Sequence, residues 1–182
     1  NLPAYIGERA RDADIVVVFY AGHGVETGGV NYLVPVDAAI GNETDLKTTA
    51  LALQDLTAAA SKARRGALVI IDACRDNPFP RTGTRSVGQS RGLTRTEPAD
   101  GVFSLYAASA GQQALDRLPG ADPSPNSVFT RVFAAQLRRR DLNLIDLGET
   151  VRDEVARLAE TVPHRQVPAY YNEVRGARFV SL

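Results

Sequence analysis

The chain has 182 residues, 44% hydrophobic and 23% charged, which is enough apolar material for one globular domain with a substantial core and calls for no second one. Lys plus Arg balances Asp plus Glu at 21 each, so no global basic excess points to nucleic acid and no acidic excess to a solvating tail. The single cysteine excludes an internal disulfide, the two histidines argue against a structural zinc site, and no apolar run reaches the roughly 18 residues of a membrane span.

Such cysteine usage suits a reducing compartment such as the cytoplasm. The chain starts at Asn1 and contains no methionine, and so reads as a piece of a longer precursor with any targeting segment upstream.

Residues 4–11, "AYIGERAR", read as the last turns of a helix, and "ADIVVVFYAGHG" at 13–24 as a β-branched strand buried on both faces. "NYLVPVDA" is a short extended piece that Pro35 places at an edge or bend. Residues 44–63 carry apolar residues at helical spacing, with Asp55 as a cap for a second helical segment. "GALVIIDAC" at 66–74 and "GVFSLYAASA" at 101–110 repeat the buried-strand pattern.

Between those strands, residues 75–100 are rich in Pro, Gly, Ser, Thr and Arg without apolar period, which predicts a flexible connection. A second loop, "LPGADPSPNS", leads to a helix from 128 capped by Asn126 or Ser127, and an amphipathic helix follows at 144–160. "ARFVSL" reads as a closing strand. Strands alternating with helices predict an α/β layered fold with a mostly parallel sheet.

In open α/β sheets the working residues collect at the carboxyl ends of the strands. Here one apolar run stops at His23 and the next at Cys74. Parallel neighbours would set an imidazole and a thiol on the same sheet edge, as a Cys/His hydrolase requires. Gly22 and Gly24 remove bulk around His23, and the Gly24 and Cys74 amides are candidates for an oxyanion hole. His164, in a polar loop after Pro163, reads as a surface residue.

Together "FYAGHG", "NYLVPVDA" and "VIIDACRDNPF" closely resemble the caspase-like cysteine peptidases, in particular the bacterial relatives of metacaspases and paracaspases. The His-to-Cys separation of 51 (74 − 23) matches the caspase signature, whose histidine lies about 50 residues upstream of its cysteine. The resemblance continues through "YAASAGQQALD" and the two last helices, and implies a three-layer α-β-α sandwich of the caspase–haemoglobinase type over residues 1–182. That domain divides into a large-subunit-like part (1–74), the connection (75–100) and a small-subunit-like part (101–182).

Two departures from the caspase pattern bear on specificity. Asp72 stands where caspases have an acid-binding glutamine, and aligning "YAASAGQQALD" puts Asp116 at the position of their acid-binding arginine. A pocket lined by two carboxylates implies Arg or Lys before the scissile bond, the preference of metacaspases and paracaspases. The resemblance further implies that residues 106–114, with Ala108, Ser109 and Gly111, form a rim on which an extended peptide adds as a strand. No metal or organic cofactor is implied. Calcium, which activates some metacaspases, is neither assigned nor excluded, since no acidic cluster has convincing ligand spacing.

The family's opening strand, helix and strand have no counterpart ahead of residue 14, so the strand at 14–20 is expected to have a bare edge unless an upstream fragment of the same precursor completes the sheet. Arg75, Arg81, Arg85, Arg91 and Arg95 lie in the connection and lack the interleaved aromatics of a nucleic-acid surface. Beside a nucleophile that cuts after Arg, they suggest self-processing. The expected activity is therefore that of a cysteine endopeptidase. A catalytically silent caspase-like interaction module is the alternative from another class, and a nucleotide-binding domain ranks far below because "GVETGG" lacks the Lys-Ser/Thr of a phosphate loop.

Overall fold

The computed structural model describes residues 1–74, 99–139 and 141–176. The Arg-rich connection and the expected closing strand fall outside the described residues, apart from Ala99 and Asp100.

Six strands form one sheet in the order β3-β2-β1-β4-β5-β6. Its centre is parallel: β1 (Ile15–Thr27), β4 (Gly66–Cys74) and β5 (Val102–Tyr106) run side by side in one direction. The edges are antiparallel, with β2 (Val30–Leu33) and β3 (Leu51–Ala52) on one side and β6 (Ala169–Asn172) on the other. Gly28 and Gly29 make the two-residue turn between β1 and β2, both at positive φ (59° and 81°), as a tight hairpin of right-handed twist requires.

Helices cover both faces of this mostly parallel sheet, in the three-layer arrangement expected. Helices α4 (Val128–Gln136) and α5 (Leu144–Ala159) pack on Leu68, Ile70, Phe103 and Leu105. On the opposite face α3 (Leu53–Ala60) buries Leu53 and Leu56 against Leu33, Val69 and Ile71, with α1 (Leu2–Ala10) laid on α3.

Several expectations need correction. Strand β1 is not buried on both faces: α4 and α5 sit over β4 and β5, leaving Val17 58% and Phe19 46% exposed on that side. Along its outer edge β1 pairs with β2 only from Gly24 to Thr27, so among the described residues the stretch from Ile15 to Gly22 has no strand partner there. The two helical segments expected over 44–63 are present, but the break between them is a strand and Asp55 is not its cap. After α2 (Glu43–Thr49) the chain extends at Ala50 (φ −86°, ψ 160°) and pairs as β3 before α3 begins. Asp55 lies within the first turn of α3, whose N-cap is Ala52. Strand β6, "AYYN", is not expected from the sequence, because Pro168 immediately before it and Asn172 at its end obscure a four-residue pattern.

Gly148 marks where α5 approaches the sheet most closely. A Cβ there would lie 2.9 Å from Tyr170 Cγ and 3.0 Å from Phe103 Cζ, two rings stacked 5.7 Å apart. Neither contact is the free end of a flexible side chain. Overpacking of about 1–3 kcal/mol therefore outweighs the ~1 kcal/mol that alanine gains over glycine in a helix. Gly148→Ala should lower stability by about 1 kcal/mol, read as a lower urea midpoint at unchanged m-value.

Candidate active site

Strands β1 and β4 pair in the register Phe19↔Ile70, Ala21↔Asp72 and His23↔Cys74. Register partners in a sheet share a face, and so do residues two apart on a strand. Phe19, Ala21 and His23 consequently lie with Ile70 and Asp72 on the face that α4 covers, and the backbones of His23 and Cys74 are direct neighbours. The strand itself does not stop at His23, as the sequence suggested. What stops there is the pairing with β4, and the hairpin with β2 takes over at Gly24.

The backbone of His23 is held from behind. Its carbonyl accepts from Val34 N–H (3.0 Å), and the Tyr20 hydroxyl lies 2.8 Å from that carbonyl and 2.9 Å from the carbonyl of Val34. Burial pushes the Tyr20 phenol above its ordinary pKa, with the two backbone contacts pulling it back, so it is protonated and able to donate at neutral pH. Gly22 serves this phenol: a Cβ on residue 22 would stand 2.7 Å from Tyr20 Oη. The glycine thus makes room for Tyr20 on the face opposite His23, rather than for a ligand beside the imidazole. Sequence reading missed Tyr20 altogether.

An open cleft of about 660 Å³ lies over this end of the sheet. Its walls are Phe19, Ala21, Gly22, His23 and Gly24 from β1, Asp72 from β4, Asp116 and Arg117 from the loop after β5, and Pro125, Asn126, Ser127 and Thr130 around the start of α4. Four of the sequence candidates, His23, Gly24, Asp72 and Asp116, therefore line one space, and Cys74 adjoins it as the register partner of His23.

Asp72 is 8% exposed. Its Oδ2 accepts from Ser127 Oγ and from Thr130 Oγ1, each at 2.5 Å. Burial pushes its carboxyl above the ordinary aspartate range, the two hydroxyls counter this, and Asp116 adds to the rise. The start of α4 supplies both donors. Ser127 is the N-cap of that helix, its Oγ accepting from Thr130 N–H at 2.8 Å, so one hydroxyl caps the helix and contacts the carboxylate.

The outer wall is fastened by a partly buried ion pair that the sequence did not announce. Arg131 on α4 grips both oxygens of Asp122 and also donates to the Asn126 and Ser127 carbonyls. Asp122 accepts from the amides of Leu118 and Ser124 as well, and Arg131 holds its carboxyl well below the usual range. The loop 118–127 is thereby pinned to the helix that carries Ser127 and Thr130.

Three candidates are not part of the cleft. Ala108 is buried at 2% exposure, and Ser109 directs both its amide and its hydroxyl to the Val167 carbonyl (2.7 and 2.8 Å). Gly111, at φ 77°, makes the turn closed by Gln112 N–H to Ser109 C=O. The chain's own segment 164–168 runs along one side of this stretch. Gln166, 1% exposed, bonds Ala107 C=O and Leu115 N–H, and His164 contacts Gln113 C=O. The stretch expected to form the rim is thus bonded on one side to the chain itself, and of the four candidates after β5 only Asp116 lines the cleft.

Of the two oxyanion candidates, the Cys74 amide also has a strand role. Ala67 N–H donates to Gly101 C=O toward β5, so the alternation of a parallel ladder turns the even-numbered amides of β4, Cys74 included, toward β1. No three His, Cys, Asp or Glu side chains among the described residues gather as metal ligands.

Sheet order, flanking helices and this cleft define the class of protein. The sequence matches the family model "Caspase domain" over residues 4–179, and the chain belongs to that family. Members of the family are cysteine peptidases acting on protein substrates. Solved structures with the same fold include the pro-form of Sf-caspase-1 (15% identity, TM-score 0.62, covering 94% of this chain and 68% of that one). Caspase-1 from Spodoptera frugiperda also matches (20% identity, TM-score 0.58, covering 96% and 67%). No curated protein matches the sequence.

Proposed function

We propose that this chain is a cysteine endopeptidase that cleaves after Arg or Lys. The observation that carries the specificity is Asp72, a nearly buried carboxylate in the wall of the cleft, bonded by the described residues through Oδ2 alone and joined there by Asp116. A buried carboxylate facing a second one is stabilised by a cation, and a guanidinium or ammonium entering the cleft supplies it.

In this reading the Cys74 thiolate attacks the scissile carbonyl carbon, forming a C–S bond. His23 takes up the thiol proton and delivers it to the leaving amine as the C–N bond breaks. Water, deprotonated by the same imidazole, then hydrolyses the thioester. An oxyanion hole built from the Gly24 and Cys74 amides requires the last register pair, His23↔Cys74, to open as substrate binds. Self-processing at Arg75, Arg81, Arg85, Arg91 or Arg95 belongs to the same proposal, because the connection follows the nucleophile directly.

Fluorogenic peptides bearing Arg, Lys or Asp before the leaving group test this, with Cys74→Ala as control. Turnover of the Arg and Lys peptides alone is expected. Preference for Asp would overturn the pocket assignment while sparing the Cys/His pair, and turnover of none would favour an interaction module without catalysis.

A further inference from the structure

We infer that Thr130 is a specificity-positioning residue, whose hydroxyl, with that of Ser127, fixes Asp72 so that one carboxylate oxygen stays free for the cation of the substrate. This rests on the proposed preference for basic residues and deepens it.

The two donors converge on a single oxygen. Ser127 Oγ and Thr130 Oγ1 both address Oδ2, and none of the described residues donates to Oδ1. A carboxylate gripped through one oxygen keeps a fixed rotamer and turns the other oxygen to the cleft it lines. Binding then needs less reordering of the side chain, and the cation meets a preorganised acceptor.

Both hydroxyls also favour the ionised form against burial, since a hydrogen bond donated to a carboxylate stabilises its charge. Among the described residues the other titratable groups lining the cleft are His23 from β1 and Asp116 and Arg117 from the loop after β5, with Cys74 adjoining it as the register partner of His23. Helix α4 adds no charge to Asp72, its Arg131 being turned onto Asp122.

Ser127 has a second task as the helix cap, so its removal would confound specificity with folding. Thr130 separates the two, because its backbone N–H serves the cap while its hydroxyl serves Asp72. Thr130→Val deletes only the hydroxyl and keeps the β-branched shape, and Thr130→Ser retains the donor.

The test compares wild type, Thr130→Val and Thr130→Ser on peptides carrying arginine or its uncharged isostere citrulline before the scissile bond, across pH. Loss of one hydrogen bond to a charged group should lower kcat/KM for the arginine peptide about tenfold in Thr130→Val, mainly through KM. The citrulline peptide should change by less than about twofold, the acid limb of the arginine pH profile should move up, and Thr130→Ser should restore both. An equal loss on both peptides, or a valine variant indistinguishable from wild type, overturns the assignment.

A titration of the Asp72 side-chain carboxyl by carbon-13 NMR gives a readout free of turnover. Its midpoint should rise in Thr130→Val and return in Thr130→Ser, and an unchanged midpoint overturns the contact. If wild type cleaves no peptide while this titration behaves as expected, the failure lies with the peptidase reading and not with the Thr130–Asp72 contact.

Discussion

Cys74→Ala should abolish turnover of an Arg-terminated peptide, and His23→Ala should lower kcat by about 10²–10⁴-fold, the usual contribution of a positioned general base. The two effects should not add: with the thiol gone, removing the imidazole changes nothing further, since both act on one bond-forming event. Circular dichroism and thermal midpoints should stay close to wild type for His23→Ala, because the hydrogen bonds at this residue that brace the hairpin use its carbonyl and not its ring. Intact mass adds a second measurement. Wild type should yield fragments cut after arginines of the 75–100 connection, and Cys74→Ala a single uncut species. Identical intact masses would remove self-processing from the proposal.

Asp72→Asn should separate activity from stability. Asparagine keeps an oxygen for the Ser127 and Thr130 hydroxyls but removes the charge, so kcat/KM for arginine peptides should fall on the order of 100-fold. Stability should move the other way. Because burial raises the folded-state pKa of Asp72 above the ordinary 3.8, the folded protein holds this proton more tightly than the unfolded chain. The stabilising contribution of the protonated form is complete below the unfolded value and is lost as pH rises through the folded one. At neutral pH the carboxylate is therefore a burden on the fold, and Asp72→Asn should raise Tm by about 2–4 °C, the shift that ~1 kcal/mol produces in a chain of this size. That gain should shrink as pH is lowered and vanish below 3.8. A gain equal at pH 3 and pH 7 would mean that charge is not its source.

How far the sequence could be read depended on the range of the interaction. Strand β4 was plain because six consecutive residues, Gly66 to Ile71, are apolar or small ahead of Asp72, and the run records burial on two faces. Strand β1 carries the same pattern yet is half open, since β-branched composition reports strand preference and not what lies across from it. Its continuation to Thr27 was missed, although Gly28-Gly29 between extended segments is a recognised hairpin signal. The gathering of Asp72 and Asp116 was inferred from resemblance, and both line the cleft. Ser127 was foreseen only as a helix cap. Its contact with Asp72, 55 residues away, and that of Thr130, 58 away, follow from how α4 lies on the sheet, which no local pattern encodes. The contacts of segment 164–168 with residues 107–115 went unread for the same reason.

The Tyr20 phenol carries a different consequence. It reaches the His23 and Val34 carbonyls from the layer of α1 and α3, while the imidazole stands on the layer of α4. The sheet is one residue thick, so this hydroxyl acts as a rivet through it, fastening the hairpin from the far side. Repacking behind the sheet around Leu33, Leu53 and Leu56 would therefore be felt at the imidazole without any change in the cleft itself.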